Sequence, residues 1–153
     1  MGFESFEEIL DFAITKEKEA ANFYEDIAQK APFSGVREML AEFAEEERKH
    51  EAMLKGILSD REKLLKYRIE GIPDLKRSDY ILEKEYESSM AYPEILRLAM
   101  KREDNSVKFY TELIRISPKE EMTNILKLLS QEEAKHKLKL ETLYDDYMAT
   151  QGD

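Results

Sequence analysis

The chain has 153 residues, no cysteine, and 34 acidic against 24 basic side chains, for a net charge of −10. That length implies one domain, residues 1–153, with a substantial core. The acidic excess disfavours nucleic acid and anionic membrane surfaces but suits cations, and the missing cysteines exclude disulfides, thiolate nucleophiles, Cys-bound zinc and iron–sulfur clusters.

The opening "MGFESFEEIL" lacks the basic start and apolar run of a secretory leader. No stretch approaches the roughly 18 apolar residues of a membrane span. A soluble cytoplasmic protein is expected, with no membrane or nucleic-acid partner.

Ser5 with Glu8 reads as a capping box, and helical periodicity then runs to about Ala31. "APFSG" breaks the chain, and Ser34 is placed to cap a second helix running to about Lys66. A connection of about 67–92 follows, with Gly71 and Pro73 marking a loop and Ser78 placed to cap a short extra helix. "AYPE" opens a third helix with Pro93 in its first turn. "SPKE" reads as a second capping box, with Ser117 as cap, Pro118 first and Glu120 returning, for a fourth helix to about Met148.

A shift of 86 residues lays "FAITKEKEAANFYEDIAQKAP" on "LAMKREDNSVKFYTELIRISP", and without a gap brings Glu47 onto Glu133 and His50 onto His136. Residues 1–66 and 87–152 therefore read as an internal repeat of one helix hairpin. Short links make each hairpin antiparallel, and the long connection can cross the whole bundle. The expected fold is all-α, a ferritin-like four-helix bundle of two duplicated hairpins joined by a long crossover.

Steps of three and four along each helix trace the seam that faces the core. The first helix gives Phe3, Phe6, Leu10, Ala13, Glu17, Ala20, Tyr24 and Ile27, and the second Val36, Leu40, Phe43, Glu47, His50, Leu54 and Ile57. The third gives Tyr92, Leu96, Ala99, Glu103, Ser106, Tyr110 and Leu113, and the fourth Met122, Leu126, Leu129, Glu133, His136, Leu140, Leu143 and Tyr147. Every seam turns acidic at its middle, and the chain's two histidines sit there as well.

Four ionised carboxylates inside a core would each be desolvated and would repel one another. Protonation is one remedy. Two divalent cations are a better one, since four negative charges then meet four positive. A Glu and a His at i and i+3 share a helix face, so each Glu-x-x-His can serve one site. One Glu from each of two helices plus Glu-x-x-His from the other two is the ligand pattern of di-iron and di-manganese carboxylate bundles. The candidate metal ligands are Glu17, Glu47, His50, Glu103, Glu133 and His136. The alternative is a metal-free bundle whose histidines bond neighbouring acids.

Tyr24 and Tyr110 lie two turns beyond Glu17 and Glu103 on the same face. They read as partners of ligating carboxylates ahead of redox-active phenols. Glu46 and Glu132 step off the seam and read as surface acids or supports of the ligands.

On these residues the chain resembles the rubrerythrin-like branch of the ferritin-like di-iron proteins, "KEKEAANFYEDIA" and "AEEERKH" matching its first two helices and "REDNSVKFYTELI" and "SQEEAKH" its last two. The resemblance implies two iron ions per chain, with manganese or a mixed Mn/Fe pair using the same ligands. It implies Glu17 and Glu103 as terminal ligands, Glu47 and Glu133 as bridges, and one histidine capping each metal. It also implies reaction with hydrogen peroxide or dioxygen, as peroxide and oxygen detoxification or as ferroxidase-type oxidation of Fe(II).

Two departures stand out. Without cysteine the chain has no rubredoxin module, so electrons would come from an external donor such as a rubredoxin-type protein. The extra glutamate that peroxide-reducing relatives carry one turn past the third-helix acid is Ser106 here. Iron binding or storage, and hydroxylation of an organic substrate, are the competing expectations. A homodimer is expected.

Overall fold

The computed structural model describes residues 2–69, 72, 75–82, 84–117 and 119–151. Its helices are α1 Phe6–Ala28, α2 Ser34–Ser59, α3 Arg61–Lys66, α4 Tyr92–Ile116 and α5 Glu120–Gln151, with a 3₁₀ turn at Arg77–Tyr80. There is no strand among the described residues; Gly2 and Lys76 form an isolated antiparallel bridge. Gly71, Pro73 and Pro118 lie outside the described residues.

Ser5 caps α1 by accepting the Glu8 N–H at 3.1 Å, while the Glu8 carboxylate reaches back to the Glu4 N–H at 2.8 Å. The helix ends three residues before the expected Ala31, in a turn where Lys30 and Ala31 both donate to the Ile27 carbonyl. Ser34 is the first residue of α2, and the cap position falls to Phe33, which has no side-chain cap bond. The second helix does not run unbroken to Lys66. Asp60 takes an extended backbone and its carboxylate accepts the N–H groups of Glu62 and Lys63, starting α3 afresh. A short acid that bonds its own backbone competes with helix continuation.

Ser78 sits inside the 3₁₀ turn, with Lys76 at its start. Ser117 does not cap α5. Its backbone N–H closes α4 on the Ile114 carbonyl, and its hydroxyl donates to the Lys119 carbonyl.

The helices pair as two hairpins, α1 with α2 and α4 with α5. Two apolar clusters fill the two ends of the bundle. Phe6, Leu10, Leu54, Ile57, Leu113, Met122 and Leu126 share one end. Tyr24, Ile27, Leu40, Phe43, Leu96 and Leu140 share the other. From that sharing, α1 and α5 run one way and α2 and α4 the other. The crossover must therefore travel the length of the bundle, from the end of α3 to the start of α4.

It also covers part of it. Ile69, Leu75 and Tyr80 of this segment are buried. The Tyr80 ring meets Phe109 at 5.1 Å, and the Tyr86 ring meets Phe23 at 5.4 Å. Phe12, Phe23 and Phe109 lie off the seams, yet are buried because the crossover packs over them. Each such ring adds about 1.5–3 kcal/mol when withdrawn from water.

Replacing Ser5 by Ala removes the α1 cap bond and is expected to cost about 1 kcal/mol. Urea unfolding would read it as a lower midpoint at constant slope; an unmoved midpoint would show that the cap contributes nothing.

Candidate metal centre

Between the two apolar clusters, Glu17 of α1, Glu47 and His50 of α2, Glu103 of α4, and Glu133 and His136 of α5 converge, each 2% exposed or less. They form two groups that share two carboxylates: Glu17, Glu47, His50 and Glu133 on one side, and Glu47, Glu103, Glu133 and His136 on the other. Within each group the donor atoms lie within 4.8 Å of one another. The six side chains singled out from the sequence are thus brought to one place.

Both imidazoles turn Nδ1 inward. His50 Nδ1 lies 3.3 Å from Glu133, 3.4 Å from Glu17 and 3.6 Å from Glu47. His136 Nδ1 lies 3.3 Å from Glu47, 3.6 Å from Glu103 and 3.8 Å from Glu133. Among the described residues, the buried side-chain polar atoms with no hydrogen-bond partner are Glu17 Oε2, both Glu47 oxygens, His50 Nδ1, Glu103 Oε2, Glu133 Oε1, His136 Nδ1 and Arg102 Nε. Every one but the last belongs to the cluster. Native interiors leave few such atoms orphaned, because each costs about 1–3 kcal/mol. Lone pairs converging on two shared points are what a pair of cations would satisfy.

A second ring of polar groups holds the first. Tyr24 of α1 donates its hydroxyl to Glu103 of α4, and Tyr110 of α4 donates to Glu17 of α1 at 2.6 Å. Both tyrosines therefore sit where the sequence puts them, but each serves the acid of the other hairpin. On the far side, Nε2 of His50 meets Glu132 of α5, and Nε2 of His136 meets Glu46 of α2 at 2.5 Å. Phe43 stacks on the His136 ring at 4.0 Å.

Glu46 and Glu132, read from the sequence as surface acids or supports of the ligands, are partly exposed and each meets the outer nitrogen of the other hairpin's histidine. One step on a helix turns about 100°, which takes these residues off their own seam but toward the neighbouring helix. The signal was the doubled acid at the same place in both hairpins. Arg102 was missed altogether, since nothing in a single sequence marks a basic residue one step from a seam glutamate.

Burial pushes Glu47 and Glu133 well above the usual carboxylate range, and the neighbouring acids push further: Glu17 and Glu103 for both, and Glu47 in addition for Glu133. Burial alone would lower the imidazoles, but the carboxylates beside them win, raising His50 to about 11 and His136 to about 9. Burial, then the nearby carboxylates, raise Tyr24 and Tyr110 as well, so both phenols keep their protons.

These shifts share one sign. The folded metal-free chain binds more protons than the unfolded one, so its stability falls as pH rises. The histidine share is complete below 6.5, the ordinary imidazole value, and is lost as pH climbs through about 9 for His136 and about 11 for His50. The urea midpoint of chelator-treated protein is expected to drop between pH 6.5 and 9. A midpoint that held or rose would contradict the buried proton network.

Comparison with known proteins follows the same lines. The family description that matches is Rubrerythrin, over residues 8–144. No curated protein matches the chain significantly. A hypothetical protein from Pyrococcus furiosus is similar in structure, with 28% identity, a TM-score of 0.71, and coverage of 92% of this chain and 89% of its own. A Thermotoga maritima protein, described as a ferritin-like diiron-carboxylate protein, superposes with a TM-score of 0.77 at 18% identity, covering 96% of this chain and 99% of its own. At that identity the likeness carries the ferritin-like fold alone. The family match takes in nearly the whole bundle and all six clustered side chains, and the chain belongs to the rubrerythrin family.

Proposed function

We propose that the cluster binds two iron ions and that the protein is a non-haem di-iron oxidoreductase reacting with hydrogen peroxide or dioxygen. The observation that carries this reading is the set of inward-facing, unpartnered carboxylate oxygens and Nδ1 atoms shared between two groups of four ligands. Four carboxylates would balance two dications, and Glu47 and Glu133, common to both groups, would be shared between them. Manganese or a mixed pair suits the same donor set. Bound Fe(II) would supply two electrons and a Lewis-acid pair at which an oxidant is held.

The chain's own residues do the rest. Glu132 and Glu46 accept from the outer nitrogens of His50 and His136, fixing the tautomer that leaves Nδ1 free for metal. Tyr24 and Tyr110 donate to Glu103 and Glu17, steadying carboxylates that must follow changes in metal charge. Their raised pKa values keep the hydroxyl protons in place for that task. The two apolar clusters exclude bulk water on either side. With no cysteine in the chain, re-reduction falls to an external donor, for which a rubredoxin-type protein is the natural candidate.

Iron retained after Fe(II) loading in air and desalting should be about two per chain, as the ligand count requires. Glu47→Ala should lose both ions and His136→Ala at least one. Failure of the wild type to retain iron or manganese would remove the reading. If iron is retained, stopped-flow oxidation of the Fe(II) form by peroxide and by dioxygen would separate the two oxidants. The paired variant Glu46→Ala/Glu132→Ala keeps every ligand and is expected to weaken metal binding about 10–100-fold in a competition titration. Unchanged affinity would make the cross-helix contacts incidental.

A further inference from the structure

The cluster is not equally enclosed on its two faces. On the α2–α5 face the histidines are backed by Glu46 and Glu132, and Phe43 stacks on His136. On the α1–α4 face lies a cavity of about 130 Å³ whose lining includes Glu17 and Tyr110. Its other polar groups include Arg102, Asn105 and Ser106. Its apolar wall includes Phe12, Ala13, Ala20 and Phe109, and Tyr80, Ile81 and Leu82 of the crossover line it as well. The larger surface grooves elsewhere touch none of the six clustered residues.

Three features make this space a binding site rather than a packing gap. It is lined by Glu17, one of the six clustered side chains. Its volume of about 130 Å³ admits a handful of water-sized molecules. It is also lined by Arg102, whose guanidinium lies 4.8 Å from the Phe23 ring centroid. A guanidinium is a fork of N–H donors with no acceptor, so one on the cavity wall suits an oxygen- or nitrogen-bearing guest.

Building on the di-iron reading, we propose that this cavity is the entry and binding site for a peroxide-sized molecule, with Arg102 as the donor that orients it toward Glu17 and the metals. Ala20 and Ser106 set its size, because both are small where a longer side chain would fill the space.

The chain has no cysteine, so Ser106→Cys creates a single reporter thiol. Metal-free Ser106→Cys should react with methyl methanethiosulfonate and react at least about tenfold more slowly with the benzyl reagent, a discrimination of about 1.4 kcal/mol. Adding Ala20→Leu, or Ala20→Phe if the fold tolerates it, should slow the methyl reagent as well. Equal rates for the two reagents would mean an open groove. No reaction with either, in protein that labels once unfolded, would mean a sealed one. Either result overturns the proposal.

A second arm uses iron-loaded protein and azide, followed by its absorption band. Arg102→Met should raise the azide Kd about tenfold with iron content unchanged, and Arg102→Lys should recover part of the loss. An unchanged Kd at full iron content removes the role of Arg102 and leaves the di-iron reading standing. Absence of retained iron removes the di-iron reading, while thiol labelling still decides whether the cavity admits small molecules.

Discussion

Four carboxylates in the middle of a core are the constraint to which the rest of the structure answers. Each is desolvated and each repels the others, so no arrangement of apolar residues alone could hold them there. The metal-free chain answers with protons, held on Glu47 and Glu133 and on both imidazoles. A pair of dications would answer better, because it would remove the net charge and occupy the unpartnered carboxylate oxygens and Nδ1 atoms together. The apolar clusters at the two ends of the bundle supply the burial that offsets the cost in either state.

The same constraint dictates how the hairpins are joined. Neither hairpin completes a ligand group by itself. The first brings Glu17, Glu47 and His50 but needs Glu133, and the second brings Glu103, Glu133 and His136 but needs Glu47. The supporting bonds also cross between hairpins. Tyrosines link α1 with α4, and the pairs Glu132–His50 and Glu46–His136 link α2 with α5. Docking of the hairpins and assembly of the site are thus one event, and bound metal would stabilise the tertiary structure through that link.

Much of this is legible in the sequence because it rests on period and charge. The seams at steps of three and four place Glu17, Glu47, Glu103 and Glu133 at mid-helix, and the structure buries all of them. The break at Asp60 escapes that reading, since a single side-chain bond to Glu62 and Lys63 outweighs a continuing helical pattern. The burial of Phe12, Phe23 and Phe109 escapes it too. Those rings are hidden by Tyr80, Tyr86 and the rest of the crossover, whose path no periodicity records. The reach of Glu46 and Glu132 depends on inter-helix geometry, which sequence spacing within one helix does not carry.

The crossover lies over one face of the cluster, the one formed by α1 and α4. The shift of 86 residues that relates the halves pairs Lys16 with Arg102, Glu19 with Asn105 and Ala20 with Ser106. All six line the same cavity, so both halves contribute equivalent walls. The Tyr80–Leu82 stretch has no counterpart in that pairing. It borders the cavity on the Tyr110 side, whereas Tyr86 packs on Phe23 beside Tyr24. Symmetry between the halves gives two near-equivalent groups of four side chains, and the single long connection has no equivalent in it.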